Sequence, residues 1–206
     1  MKTISYAITA CNEHVELERL LDQLDKHIRP CDEIMLQLDS TATHEVRKVA
    51  EKYNIGTDYG YHRVFFPLNN DFSYFKNVLK KHCIKDYIFF IDADEYLSDQ
   101  LLEHLTFILE NNDVDMYLVP RINTVKGLTE EHIKKWGWIV DENGWVNYPD
   151  YQTRIIKNNR DIMWQNKVHE RIVGYNTTAI LPPGFELIHP KTIQKQERQN
   201  NFYNTL

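Results

Sequence analysis

The chain has 206 residues, 42% of them apolar and 26% charged, which suits one globular domain and excludes disordered and fibrous architectures. Lys and Arg number 24 against 30 Asp and Glu, so the formal charge is −6 and nucleic acid is not an expected partner. The longest apolar runs, such as Tyr87–Ile91, fall far short of the roughly 18 residues of a membrane span.

Thr3 to Ala10 is apolar and β-branched without helical spacing, and reads as a buried first strand. Met1-Lys2 with Ile4–Cys11 faintly resembles a lipoprotein leader ending in Ala-Cys. Ser5, Tyr6 and Thr9 interrupt its apolar stretch and Lys2 is its single basic residue, so no export signal is expected. Leu17, Leu20, Leu21, Leu24 and Ile28 then fall on one helical face, which Pro30 stops. Glu33–Leu38 is the second strand. Val46, Val49, Ala50 and Tyr53 mark a second helix ended by Asn54 and Gly56, and Tyr61–Phe66 is the third strand.

Phe72, Phe75, Val78, Leu79 and Cys83 trace a third helix, followed by the strand Tyr87–Ile91. That strand is apolar throughout, as a parallel strand covered on both faces should be. Ser98 can cap a helix bearing Leu101, Leu102, Leu105, Ile108 and Leu109, and Met116–Ile122 is the fifth strand. The alternation predicts an α/β fold with an open, doubly wound, mostly parallel sheet flanked by helices.

After Arg121 the rhythm changes. Gly127–Trp145 reads as a loop or short helix, with Trp136, Trp138 and Trp145 able to stack on a ligand face or simply cover the sheet. Short strands are expected at Thr153–Lys157, Val168–Val173, Ala179–Leu181 and Glu186–His189, then a C-terminal helix from Lys191 carrying Gln194, Arg198, Asn201 and Phe202. Without repeats or hinge-like linkers, residues 1–206 are treated as one domain. From Arg121 to Arg171 there are nine Lys and Arg against seven acids, so this stretch is mildly basic within an acidic chain and suits a small anionic ligand. Three cysteines, Cys11, Cys31 and Cys83, with no CxxC spacing argue against a disulfide framework or zinc site and for a reducing cytoplasm.

The sharpest chemical feature is Asp92-Ala93-Asp94-Glu95, directly after an apolar strand. Ligands of parallel α/β sheets bind at the carboxyl ends of strands, and residues i and i+2 of an extended segment share a side. Two such carboxylates suit Mn2+ or Mg2+, and the metal suits a diphosphate. A solvated acidic turn would carry the same letters. The first strand ends in Thr9-Ala10-Cys11-Asn12-Glu13 and the second in Leu38-Asp39-Ser40-Thr41, pointing at the same crevice. Asn12, Asp39 and Ser40 would also serve as N-caps. Neither GxGxxG nor GxxxxGK[ST] occurs, so a bound nucleotide needs the metal in place of a glycine-rich loop.

These segments resemble the family 2 glycosyltransferases with the GT-A fold. The likeness runs through Ile4–Leu24, Asp32–Val49, Asp71–Leu79 and Tyr87–Leu97; Tyr148–Ile156 and Lys167–Ile172 are similar to a subgroup that includes lipopolysaccharide-core glucosyltransferases. The resemblance implies transfer of a sugar from a nucleoside diphosphate donor, usually a UDP-sugar, with inversion. It implies a nucleotide-sugar-binding part over residues 1–122 and an acceptor-side part over 123–206. It implies Asp94 as direct metal ligand, Asp92 and Ala93 near the ribose or sugar, Asp39 on the base, and Thr9, Ala10, Asn12 and Glu13 around base and ribose. Lys76-Asn77 stands where relatives have Arg-Asn near the nucleotide. At the second strand the family's Asp-x-x-Ser-x-Asp-x-Thr is shortened to Asp39-Ser40-Thr41-Ala42-Thr43.

Arg154 is a candidate diphosphate cation, although a surface strand arginine would look alike. His189 resembles a late histidine that completes the metal sphere, with His169 a second candidate. Direct inversion needs a base for the acceptor hydroxyl, for which Glu170, then Asp150, are the candidates. The acceptor is a glycan, a lipid-linked group or a protein, reached in the cytoplasm or at a membrane surface. A nucleotidyltransferase, or a binding domain without catalysis, would share the paired aspartates.

Overall fold

The computed structural model describes residues 1–56 and 60–203. In chain order the elements are β1 (Ile4–Ala10), α1 (His14–Asp25), β2 (Glu33–Asp39), α2 (His44–Lys52), β3 (Tyr61–Phe66), α3 (Phe72–His82), β4 (Tyr87–Asp92), β5 (Tyr96–Leu97) and α4 (Asp99–Asn111). Then follow β6 (Met116–Val119), β7 (Arg121–Lys126), α5 (Glu130–Trp136), β8 (Gln152–Lys157), β9 (Met163–Gln165), β10 (Arg171–Val173), β11 (Thr178–Ile180), β12 (Leu187–Thr192) and α6 (Ile193–Tyr203).

Seven strands form the central sheet in the order β11-β6-β8-β4-β1-β2-β3. β4, β1, β2 and β3 run parallel, and β8 is antiparallel to both its neighbours. The chain winds outward from β1 through β2 to β3, then returns through α3 to β4 on β1's other side. The β1–β4 junction is therefore a topological switch point, where doubly wound sheets bind ligands. Thr9 and Asp92 are register partners there.

Alternation along the strands sorts the core onto two faces. Ile8, Leu36, Phe89 and Ile91 pack with Leu17, Leu20 and Leu24 of α1, Val46 of α2 and Leu101 and Leu105 of α4. Ala7, Met35, Ile88 and Phe90 face the other way, toward Leu79 of α3 and Ile162, Trp164 and Ile172 around the β9–β10 hairpin. Ser98 caps α4 as expected, its hydroxyl accepting from Leu101 N–H at 3.3 Å.

Three expectations need correction. The strand Met116–Ile122 breaks at Pro120, which has no N–H for a ladder. β6 stays in the main sheet, while β7 joins β12 and β5 in a three-stranded sheet, where the Pro120 carbonyl accepts from Leu187 N–H at 2.9 Å. Val168–Val173 is a strand only from Arg171, because Asn166 and His169 hold positive φ of 77° and 53°. α1 ends at Asp25, before Ile28.

Candidate active site

A cleft of about 1360 Å³ opens at the carboxyl ends of β1, β2 and β4. Thr9, Ala10, Asn12, Glu13, Asp39, Asp92, Ala93 and Asp94 line it from the parallel strands and their loops, and Lys76 from α3. Asp150, Arg154, Glu170, His189, Lys191 and Lys195 line it from the later half.

Asp92 ends β4 beneath three donors. Arg154 Nη2 reaches its Oδ2 at 2.6 Å, Thr9 Oγ1 donates to Oδ1 at 3.4 Å, and Lys76 Nζ lies 3.9 Å from Oδ1. Burial alone would raise its pKa; Arg154 and Lys76 overcome that and hold the carboxyl below the usual range. Arg154 is 3% exposed, so it is not a surface arginine. The same Nη2 donates to Glu95 Oε1 at 2.6 Å, and Arg121 Nη1 reaches that oxygen at 2.9 Å. Arg121 Nη2 then meets Asp150 Oδ2 at 2.6 Å. Asp92, Arg154, Glu95, Arg121 and Asp150 thus form one chain of alternating charge. Glu95 at its centre is 0% exposed, and its Oε2 accepts from the Asp92 N–H at 3.1 Å.

Asp94 lines the same cleft but meets a different set of partners. Its Oδ2 lies 3.2 Å from His189 Nε2 and 3.2 Å from Lys195 Nζ. Burial works to raise its pKa, but His189, Lys195 and Lys191 draw it below the usual range. Among the described residues no group of three His, Cys, Asp or Glu side chains is gathered for a metal. The Asp94–His189 pair nevertheless has the right donors. Asn123 Nδ2 donates to Asp150 Oδ2 at 2.8 Å, which leaves Asn123 Oδ1 to accept from His189 Nδ1, also at 2.8 Å. Nε2 is the nitrogen left facing Asp94, and it would offer its lone pair to a divalent ion bound there. An imidazole nitrogen and a carboxylate oxygen, completed by diphosphate oxygens, suit Mn2+ or Mg2+.

The other predicted residues divide. Glu170 Oε1 accepts from Lys76 Nζ at 2.7 Å, and that ammonium lies 4.6 Å from the centre of the Trp164 ring. Asp150 is heavily engaged: Oδ2 takes Arg121 and Asn123, and Oδ1 takes Gln152 Nε2 at 2.7 Å. Burial raises and Arg121 more than offsets, so its pKa is lowered. Asp39 Oδ1 accepts from Thr41 N–H at 2.7 Å and its Oδ2 from Leu68 N–H at 2.7 Å, tying two cleft loops together. Neither Asp39 nor Ser40 caps α2; Thr43 does, accepting from Val46 N–H at 3.3 Å. Asn12 is no cap either, since Glu13 is the N-cap of α1 and its Oε2 accepts from the Cys11 and Asn12 N–H groups at 2.9 Å each. Asn77 is turned away from the cleft. Its amide is spent on the backbone of Trp164, donating at 2.8 Å and accepting at 2.9 Å.

The model of glycosyl transferase family 2 matches residues 5–178. The chain belongs to this family. Among solved structures, this family 2 chain is similar to S. aureus TarS 1–349, with TM-score 0.65 and 15% identity over 92% of this chain and 60% of that one. The same TarS fragment in complex with UDP-GlcNAc gives TM-score 0.64 and 16% identity, over 93% of this chain and 59% of that one. S. aureus TarS itself gives 0.63 and 15%, over 92% and 37%. The chain thus spans about 60% of the length of the TarS 1–349 structures. At such identity the likeness is one of fold. No curated protein matches the chain.

Three cleft residues of this family 2 chain, and one buried beneath the cleft, escaped sequence reasoning. Glu95 stood in view beside the aspartates, but its burial between two arginines depends on β7 and β8, far along the chain. Arg121, Asn123 and Lys195 sit on elements whose local pattern carries no chemical signal. Of the tryptophans, Trp138 lines the cleft and rests against Trp136 at 4.6 Å between ring centres, while Trp145 packs on Tyr148.

Proposed function

We propose that the chain transfers a sugar from a nucleoside diphosphate donor to an acceptor hydroxyl with inversion. One observation carries this reading: Asp92 ends a central strand at the switch-point cleft and Asp94 follows in the turn beyond it, facing His189 at 3.2 Å. Thr9, Ala10, Asn12, Glu13 and Asp39 line the end assigned to base and ribose, and Asp92 is assigned to the ribose or sugar. Asp94 and His189 would hold Mn2+ or Mg2+, which when bound supplies positive charge to the departing diphosphate. The acceptor oxygen forms a bond to the anomeric carbon as the bond to the diphosphate breaks, and a carboxylate takes the hydroxyl proton. Glu170 is assigned that role. Asp150 is second choice, because Arg121 and Asn123 hold its Oδ2.

A uridine donor is favoured by the UDP-GlcNAc complex of the similar TarS fold. Within the family, Tyr148–Ile156 and Lys167–Ile172 favour the lipopolysaccharide-core-like subgroup and hence a hexose. Residues 1–122 are assigned to the donor and 123–206 to a glycan, lipid-linked or protein acceptor. The reaction is assigned to the cytoplasm, where three free cysteines stay reduced. No helix among the described residues is long and apolar enough to cross a membrane.

Thermal unfolding with UDP-glucose, UDP-GlcNAc and GDP-mannose, each with and without Mn2+, tests the reading. One donor should stabilise only with the metal, by about 2.7 kcal/mol at a hundredfold excess over Kd. Asp94→Asn should abolish that increment, and Glu170→Gln should keep it while lowering kcat by roughly 10²–10⁴-fold. Pyrophosphate release from a nucleoside triphosphate would replace this reading with nucleotidyl transfer. Binding without turnover would leave a binding domain.

A further inference from the structure

α6 brings Lys195 into the cleft between two carboxylates from distant parts of the chain. Its Nζ lies 3.2 Å from Asp94 Oδ2 and 3.2 Å from Glu16 Oε1 on α1. Three other cleft cations lie closer to their carboxylates: Lys76 reaches Glu170 at 2.7 Å, Arg121 reaches Asp150 at 2.6 Å, and Arg154 reaches Asp92 and Glu95 at 2.6 Å each. Lys195 is the loosest of these four and is shared. The oxygen it shares is also the one that faces His189 Nε2.

An ammonium on that oxygen stands in the way of a divalent ion. The two would be neighbours of like sign in a partly buried site, where Coulomb repulsion is several times its value in water. Incoming negative charge resolves the conflict. A diphosphate brings enough anionic oxygens to pair with both the ion and the lysine, and Lys195 lines the same cleft. Its side chain is 24% exposed on a long flexible stem, free to change partner.

We propose that Lys195 makes divalent-cation binding conditional on the donor: its ammonium occupies the cation-facing oxygen of Asp94 in the free chain and moves to the diphosphate when the nucleotide enters. Glu16 is its alternative partner, shifting how firmly it sits on Asp94. This inference rests on the proposed donor site, and it deepens that reading by fixing the order in which charges assemble.

The test is Mn2+ binding to the full chain, read from the electron paramagnetic resonance signal of free Mn2+, with and without UDP. Wild-type chain should bind Mn2+ weakly alone and at least tenfold more tightly with UDP. Lys195→Met should bind Mn2+ alone at least tenfold more tightly than wild type, and UDP should then strengthen Mn2+ binding correspondingly less, because no ammonium remains for it to draw off Asp94. Glu16→Gln should shift Mn2+ affinity the opposite way, because it leaves Lys195 to Asp94. A lysine that merely ties α6 to α1 would move both variants in one direction. Unchanged or weaker Mn2+ binding by both Lys195→Met and the polar Lys195→Gln overturns the proposal, as does a shared sign for Lys195→Met and Glu16→Gln. Failure of the wild-type chain to bind UDP under any condition sinks the donor site instead. The effect of Lys195→Met on Mn2+ alone still tests the competition in that case.

Discussion

Asp92 and Arg154 meet at 2.6 Å, yet the halves of the chain they come from are built differently. β1, β2 and β4 are covered on both faces, and their apolar side chains settle strand position before any polar group is placed. The later half has less to bury. β9, β10 and β11 are three residues each, and the segment between β7 and β8 holds one short helix. What registers this half on the cleft is charge: Arg154 and Arg121 on Glu95, Arg121 on Asp150, and His189 and Lys195 on Asp94. Hydrophobic burial fixes the platform, and ion pairs fix what is laid over it.

The largest expected effect comes from cutting that charged seam. Arg154→Met leaves Asp92 and Glu95 facing each other with one cation fewer, and breaking such buried pairs costs about 3–5 kcal/mol. At 2–4 °C per kcal/mol for a chain of this size, Tm should fall by roughly 6–20 °C. Ile8→Val, in the fully buried core of β1, should cost only about 0.5–1.5 kcal/mol. If the two variants melt in the reverse order, packing rather than charge seats the later half.

That division explains what could be read from the sequence. Ile88-Phe89-Phe90-Ile91 is a run that only a doubly covered strand tolerates, and Asp92 follows it, so strand, burial and strand-end carboxylate were legible together. The helices of the first half announced themselves by period. Arg154 was ambiguous, because an arginine on a short strand looks the same whether it meets solvent or a buried glutamate 59 residues away. The β9–β10 hairpin was missed because Met163–Gln165 buries a single side chain, Trp164, too little for a strand signal. The unbroken strand Met116–Ile122 failed at Pro120, where apolar composition outweighed the missing N–H. Lys195 sits on a helix whose sequence shows no strong apolar face, so nothing local pointed to Asp94.

A smaller effect sharpens the comparison at a residue that family likeness assigns to the nucleotide and the fold assigns to packing. Asn77 spends its amide on the Trp164 backbone, clamping β9 to α3. Asn77→Ala strands that part-buried backbone pair and should cost about 1–3 kcal/mol. UDP affinity measured by calorimetry, well below the variant's Tm, should stay within twofold of wild type. A tenfold loss with stability intact would return Asn77 to the donor site.

The smallest effect separates a carboxylate held by neutral donors from those held by arginines. Asp39 is 8% exposed, and although burial favours its protonation, hydrogen bonds from Thr41 and Leu68 bring its pKa below the ordinary value. The unfolded chain, with carboxyls titrating near the usual ~4, therefore takes up a proton in acid that folded Asp39 refuses. Its contribution to stability is complete above about pH 4 and is lost as pH falls toward the lower folded value. Each such proton steepens the acid limb of unfolding free energy by about 1.4 kcal/mol per pH unit. Urea unfolding of Asp39→Asn between pH 5 and 3 should show a limb shallower by up to that amount. Because the donors are uncharged, the difference from wild type should persist in 0.5 M NaCl, where the Debye length is only about 4 Å. A difference that vanishes with salt would mean that long-range charge, rather than the two loop N–H groups, holds Asp39 ionised.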